Sequence, residues 1–243
     1  NKYFVETMDE THKFFEGLEW ISGKPDADEY VASFAPNTAT KPRPAAKALP
    51  NKGGIPEGHA FPGEKSEFKG YDRYKVRAGR GNMTVICPKE AAPGKPWLWR
   101  SGMFWQAIPR FHETDLKLVK QGYHVVLAAG HVYGHPKGNA MIDAAYELLT
   151  TEYGFAKKCS MASMSRETNA LFRWASTYPE RVESIYVDNG VLSLRSWPGG
   201  AQVPGSTSKF KGDLKSWEGL KKAYGFTSDA EALTHQAIKW LNG

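Results

Sequence analysis

Cysteine is scarce in this chain, with Cys87 and Cys159 the only two among 243 residues. So sparse a pair excludes a disulfide framework, and neither residue stands in a CxxC or His-rich setting that would hold a metal. Both lie in stretches with strand character, so two buried free thiols are expected. Long apolar runs are missing too. None reaches the roughly 18 residues that a membrane-spanning helix needs, which excludes an integral helical membrane protein. There is no internal repeat and no low-complexity tract. Nor is one sign of charge in large excess. The formal net charge is +6, and the Lys and Arg residues are scattered rather than gathered in a stripe. Neither nucleic acid nor membrane is an expected partner. An initiating Met is also lacking, since the first residue is Asn1. A removed signal peptide would leave such a start, and a secreted or periplasmic location is the expectation.

What is present is ordinary globular material. A mass of 27.0 kDa with 41% hydrophobic and 24% charged residues suits one domain with an appendage and a sizeable core. Aromatic residues reach 13%, eight of them Trp. Such rings line carbohydrate and apolar-ligand sites, and they also fill cores.

Residues 1 to about 34 carry Phe4, Met8, Phe14, Phe15, Leu18 and Ile21 at partly helical spacing. Pro36, Pro42, Pro44, Pro50, Pro56 and Pro62, with Gly53, Gly54 and Gly58, make the next stretch an extended linker or strap. Residues 1–60 therefore read as a helical segment plus strap, and 61–243 as the main domain. From about Phe68 the texture is α/β. Tyr71–Val76 and Met83–Cys87 flank a turn at Ala78–Asn82 and predict a hairpin. Trp97–Arg100 is a short apolar strand, and Glu113–Gln121 a helix stopped by Gly122. Tyr123–Ala129 reads as a buried parallel strand. Asn139–Tyr153 and Arg166–Tyr178 are helical, while Lys158–Met164 and Val182–Val187 are strands. Alternation of this kind predicts βαβ units: an α/β fold with a mostly parallel sheet, helices on both faces, and ligands at the carboxyl ends of the strands.

One junction carries chemistry. The Lys158–Met164 strand runs directly into Ser165-Arg166-Glu167, and a helix follows. A sharp turn there exposes a serine Oγ above the sheet, with the helix N–H groups aimed at developing negative charge. A plain helix N-cap would use Ser in the same place, and both roles fit.

The segments Phe61–Tyr74 (FPGEKSEFKGYDRY), Ala92–Arg100 (APGKPWLWR), Thr114–Val125 (TDLKLVKQGYHV), Tyr133–Gly138 (YGHPKG), Ser163–Ala175 (SMSRETNALFRWA) and the run from Ile185 to Ser196–Gly200 (SWPGG) widen the match. In them the chain resembles a set of bacterial α/β-hydrolase-fold proteins, often secreted and often without an assigned substrate. The resemblance implies Ser165 as nucleophile and the backbone N–H of Arg166 as half of an oxyanion hole. The other half would come from around Gly102 and Met103, after the Trp97–Arg100 strand. It also implies Asp188 as a possible triad acid, although an Asp at a strand end beside Asn189 and Gly190 equally caps a turn.

Two departures stand out. The usual G-x-S-x-G elbow, followed in this family by a further Gly, reads here Ser163-Met164-Ser165-Arg166-Glu167-Thr168. Glycines at those positions allow a tight turn and close helix–strand approach. Glu167 in the first helical turn favours the helix dipole, yet an inward carboxylate would repel an oxyanion forming at Ser165. It either faces away from the pocket, takes a catalytic role, or marks a lost activity. The second departure is the ending. Hydrolases of this class order their triad Ser, acid, His, and the one histidine after Ser165 is His235, in an amphipathic stretch that reads as a helix. The expectation is a chain that is C-terminally incomplete or shortened, with the catalytic His outside it.

The other histidines divide by context. His131 and His135 flank Val132-Tyr133-Gly134 in the loop after the Tyr123–Ala129 strand. Their spacing would suit a metal pair on a helix, but Gly134 and Pro136 make this a loop, so substrate contact is expected and no metal. His112 belongs with a helix start, and His124 packs within its strand. Trp105, Phe104, Trp99 and Trp197 could line a pocket or fill the core. The resulting expectation is a serine hydrolase acting on a carboxylic ester, with carbohydrate esters among the candidates, without a cofactor. Trp105, His131, His135 and Glu167 would contact the substrate. The rivals are a catalytically silent binding protein on the same fold and an enzyme using Glu167 as acid or base.

Overall fold

The structure is a computed structural model, and it describes residues 61, 63–79, 81–102, 105, 108–128 and 133–235, without the side chains of 110 and 136–138. The expected N-terminal helix and strap at 1–60, and Met103, Phe104 and His131, lie outside the described residues.

Seven strands form one sheet in the order β1-β2-β3-β5-β4-β6-β7. The first three are β1 (Glu64–Phe68), β2 (Tyr71–Ala78) and β3 (Gly81–Ile86), an antiparallel meander. The hairpin expected at Ala78–Asn82 is there, with Ala78 paired to Gly81 across a two-residue connection and Gly79 at φ 54°. Strand β1 was not expected. Its sequence EKSEF alternates charge with few apolar groups, so periodicity offers little signal for an edge strand that is half in water.

The other half of the sheet is parallel. Strand β4 (Trp97–Arg100) lies between β5 (His124–Leu127) and β6 (Cys159–Met164), and β6 pairs with β7 (Val182–Asp188). β3 joins the two halves by pairing antiparallel with β5. All four residues of WLWR are buried, as befits a central strand covered on both faces. This is the α/β-hydrolase-like α/β arrangement the resemblance implies.

Helices cover both faces. α1 (Pro109–Lys120) packs Phe111, Leu118 and Val119 on one face, against Ile86, Leu98 and Val125. α2 (Pro136–Thr151) and α3 (Thr168–Thr177) pack Ile142, Leu149, Leu171 and Trp174 on the other, against Val85, Trp99 and Met161. α1 begins earlier than Glu113, because Pro109 occupies its first turn, where the missing N–H costs nothing. It stops at Gly122, whose φ is 91° and where a Cβ would lie 2.5 Å from the Ala92 nitrogen. α2 likewise begins before Asn139, and the run ahead of α3 is a separate tight turn over Ser165–Glu167. Both thiols are free, Cys159 fully buried and Cys87 half-buried, as expected. Burial pushes the Cys87 thiol up to about 12, far from a reactive thiolate.

Residues 194–235 build a small core of their own from Leu194, Val203, Trp217, Leu220 and Ala232, using α4 (Leu214–Tyr224) and α5 (Asp229–Thr234). Tyr224 Oη donates to the Tyr133 carbonyl at 2.8 Å, tying this unit to the loop after β5. Of the helix expected around His235, the described part runs Asp229–Thr234, and the backbone of His235 is extended; residues 236–241 lie outside the described residues.

Candidate active site

The chain reaches Ser165 from an extended Met164 (φ −132°, ψ 144°) and turns at once into Ser165–Glu167 and then α3. Ser165 itself stands at φ 53°. Serine gains nothing from left-handed backbone, which costs an L-residue roughly 1–2 kcal/mol. Surrounding groups must hold it there. The Val191 N–H donates to the Ser165 carbonyl at 2.9 Å. Asn169 Nδ2 donates to the Val191 carbonyl at 2.6 Å, so the loop after β7 is pinned to the bend from both sides. On the opposite flank the Ser101 N–H donates to the Ala162 carbonyl at 3.1 Å, carrying the β4–β6 pairing one residue further. Ser165 is partly exposed, and its Oγ has no hydrogen-bond partner among the described residues.

The missing glycines have a local replacement. Ser163 and Thr168 stand where the resemblance expects Gly, and both are completely buried. Their hydroxyls meet at 3.1 Å, so two polar groups introduced into a tight strand–helix contact satisfy each other. Space is found at Gly190, where a Cβ would fall 2.4 Å from Val187 Cγ1 and 3.0 Å from Thr168 Cγ2. The close approach normally secured by glycine in the elbow is met here by glycine in the facing loop. Glu167 is only 3% exposed. Its carboxylate is therefore part of the packed interior under the bend and not a solvated side chain of the first helical turn.

Asp188 closes β7 directly beside this bend, as the register partner of Met164. Its Oδ1 accepts from Asn189 Nδ2 at 3.2 Å, and Asn189 has φ 49°. Asp188 and Ser165 leave the sheet at the same end, from adjacent strands. Gly102 does so from β4, on the other side of β6. Met103 is outside the described residues.

Arg166 carries its guanidinium over the Trp197 ring, 5.6 Å from the centroid. Trp197 lies 6.3 Å from Tyr133. His135 sits edge-on to Tyr224 at 4.8 Å, partly buried between the loop after β5 and α4. His131 lies outside the described residues. His124 is packed as expected, 4.3 Å from the Phe155 ring, and burial drives its pKa down to about 4, so it is neutral at ordinary pH.

Trp105 is the expected pocket residue that the structure moves into the core. It is 3% exposed, packs on Phe68 and His112, and donates its indole N–H to Asp115 Oδ2 at 2.9 Å. The same carboxylate takes Arg100 Nε at 3.0 Å and Nη2 at 2.7 Å, with both side chains 1% exposed. His112 Nε2 donates to the Trp105 carbonyl at 2.7 Å. This cluster ties the loop after β4, which follows directly on the expected oxyanion segment, to α1. Sequence reasoning missed it, although an arginine inside WLWR is a signal, since a buried guanidinium requires a carboxylate nearby.

No group of three or more His, Cys, Asp or Glu side chains fit for a metal occurs among the described residues. No family model matches the chain, and no curated protein matches it. Among solved structures it is similar to an esterase from Pyrococcus furiosus, at 12% identity over 56% of this chain and 60% of that one, with a TM-score of 0.41. A cold-adapted esterase from an Arctic intertidal metagenomic library gives 12% identity over 53% of this chain and 65% of that one, with a TM-score of 0.39. Epoxide hydrolase A from Mycobacterium thermoresistibile gives 17% over 48% and 38%, with a TM-score of 0.34. The chain thus spans less than two thirds of the length of each. The sheet order and the bend at Ser165, rather than these overlaps, carry the reading that follows.

Proposed function

We propose that the protein is a serine hydrolase acting on a carboxylic ester of a small molecule or carbohydrate. The observation that carries this is Ser165, a non-glycine residue at φ 53° on the turn between a central parallel strand and a helix. Strain at such a place is maintained by backbone hydrogen bonds from the neighbouring loop, and function is its usual reason. In this reading Ser165 Oγ attacks the ester carbonyl, and its proton passes to a general base not assigned among the described residues. The Arg166 N–H, with one from the 102–103 segment, holds the negative oxygen of the tetrahedral intermediate. The carbon–oxygen bond to the alcohol then breaks, the alcohol leaves with the proton, and water releases the acyl group. Asp188 is the proposed acid, and Trp197 and His135 border the substrate.

Glu167 favours a second reading. A carboxyl group buried two residues from the nucleophile, where the resemblance expects glycine, departs from the catalytic pattern and suits a silent binding protein on the same fold. A fluorophosphonate probe separates the two. Labelling that vanishes in Ser165→Ala is the expected result. No labelling of the full-length, folded protein would favour the binding reading instead. If Glu167 is itself the acid or base, Glu167→Gln abolishes turnover of a p-nitrophenyl ester while Ser165 still labels.

A further inference from the structure

We propose that the loop leading into α4 is a docking surface for an anionic lipid bilayer. The inference goes beyond the hydrolase reading and does not require it. Among the described residues two large hydrophobic side chains are exposed, Phe210 at 62% and Leu214 at 46%. They fall within one short stretch, Lys209-Phe210-Lys211-Gly212-Asp213-Leu214-Lys215, and its three lysines are exposed as well.

The stretch is held in place. The Phe210 carbonyl accepts from the Ala201 N–H at 2.6 Å, and the Asp213 N–H donates to the Pro198 carbonyl at 2.9 Å. The Phe210 N–H donates to Ser208 Oγ at 3.2 Å. At Gly212 the backbone is packed so closely that a Cβ would lie 1.5 Å from the Gly199 carbonyl oxygen. Phe210 is thus presented by an ordered loop, which lowers the entropy lost when it enters another phase. The one carboxylate in the stretch, Asp213, already accepts from the Ser216 N–H at 2.6 Å as the N-cap of α4.

An exposed aromatic and an exposed aliphatic side chain, each next in sequence to an exposed lysine, match the boundary between anionic headgroups and acyl chains. Two side chains are too few for a stable protein interface, which needs on the order of 1,000 Å². A lipid surface needs no complementary shape. The loop also adjoins the candidate site, because Pro198 and Gly199 follow Trp197, on which Arg166 rests.

The test is co-sedimentation of the full chain with vesicles of phosphatidylcholine alone or mixed with phosphatidylglycerol. Binding is expected only with phosphatidylglycerol, weakening as salt is added. Each lysine should contribute about fivefold, so joint Lys209→Glu, Lys211→Glu and Lys215→Glu substitution lowers the partition coefficient by about a hundredfold or more. Joint Phe210→Ser and Leu214→Ser should lose binding with the thermal transition unchanged. No binding, equal binding to both lipids, or wild-type binding by the Phe210→Ser, Leu214→Ser protein would overturn the proposal. Self-association abolished by that double change, without vesicle binding, would overturn it in favour of a contact between copies.

Discussion

Removing one side of the Arg100–Asp115 pair should be among the most damaging substitutions in the chain. Both groups are 1% exposed and meet in two hydrogen bonds, so neither retains access to water. Arg100→Met takes away the two hydrogen bonds that the guanidinium donates to the buried carboxylate, and Asp115→Leu takes away the carboxylate that faces the buried guanidinium. Each should cost about 3–5 kcal/mol, the range for a buried ion stripped of its partner. Asp115→Leu carries a further ~1–3 kcal/mol, because Trp105 Nε1 loses its acceptor. The joint replacement removes both charges, and the remaining cost should fall to about that indole term. Urea unfolding at constant m-value reads the three proteins, and a loss of ~4 kcal/mol lowers Tm by roughly 10 °C in a domain this size. Single variants within 1 kcal/mol of the parent, or a double variant equal to the sum of the singles, would refute the account.

Other expectations can be checked alongside. His124 is held neutral, its pKa lowered from 6.5 to about 4 by burial and by nearby Lys95. The unfolded chain therefore takes up a proton there first. Stability should fall by roughly 3 kcal/mol as pH drops from 6.5 towards 4, with no change above that window. His124→Leu should flatten that segment of a urea-midpoint against pH curve, and parallel curves would contradict the assignment. Gly190→Ala forces a methyl to within 2.4 Å of Val187 Cγ1, and should lower stability by about 1–3 kcal/mol in thermal melts. Ser165→Gly relieves the left-handed strain, and should raise stability by about 1 kcal/mol while abolishing fluorophosphonate labelling.

Much of the scaffold was legible because burial on both faces leaves a mark in the sequence. WLWR reads as a short apolar strand and YHVVLAA as a buried parallel one, and the serine junction stands out because a strand runs into a helix without a loop. What could not be read depends on distance in the chain. The bond from Trp105 to Asp115 joins two elements that periodicity treats separately, so the indole looked as suited to a pocket as to a core. β1 escaped because an edge strand needs little apolar material. At the Ser165 bend the departures from the glycines that the resemblance expects are plain, but the space is found at Gly190, in the loop after the neighbouring strand β7, which no local pattern signals.

The bend at position 165 is held from both flanks by main-chain donors, Val191 on one side and Ser101 through Ala162 on the other. Amide groups persist through almost any exchange of side chains. The side chains around this corner could therefore be exchanged, and its chemistry with them, while the backbone course of the corner itself was kept.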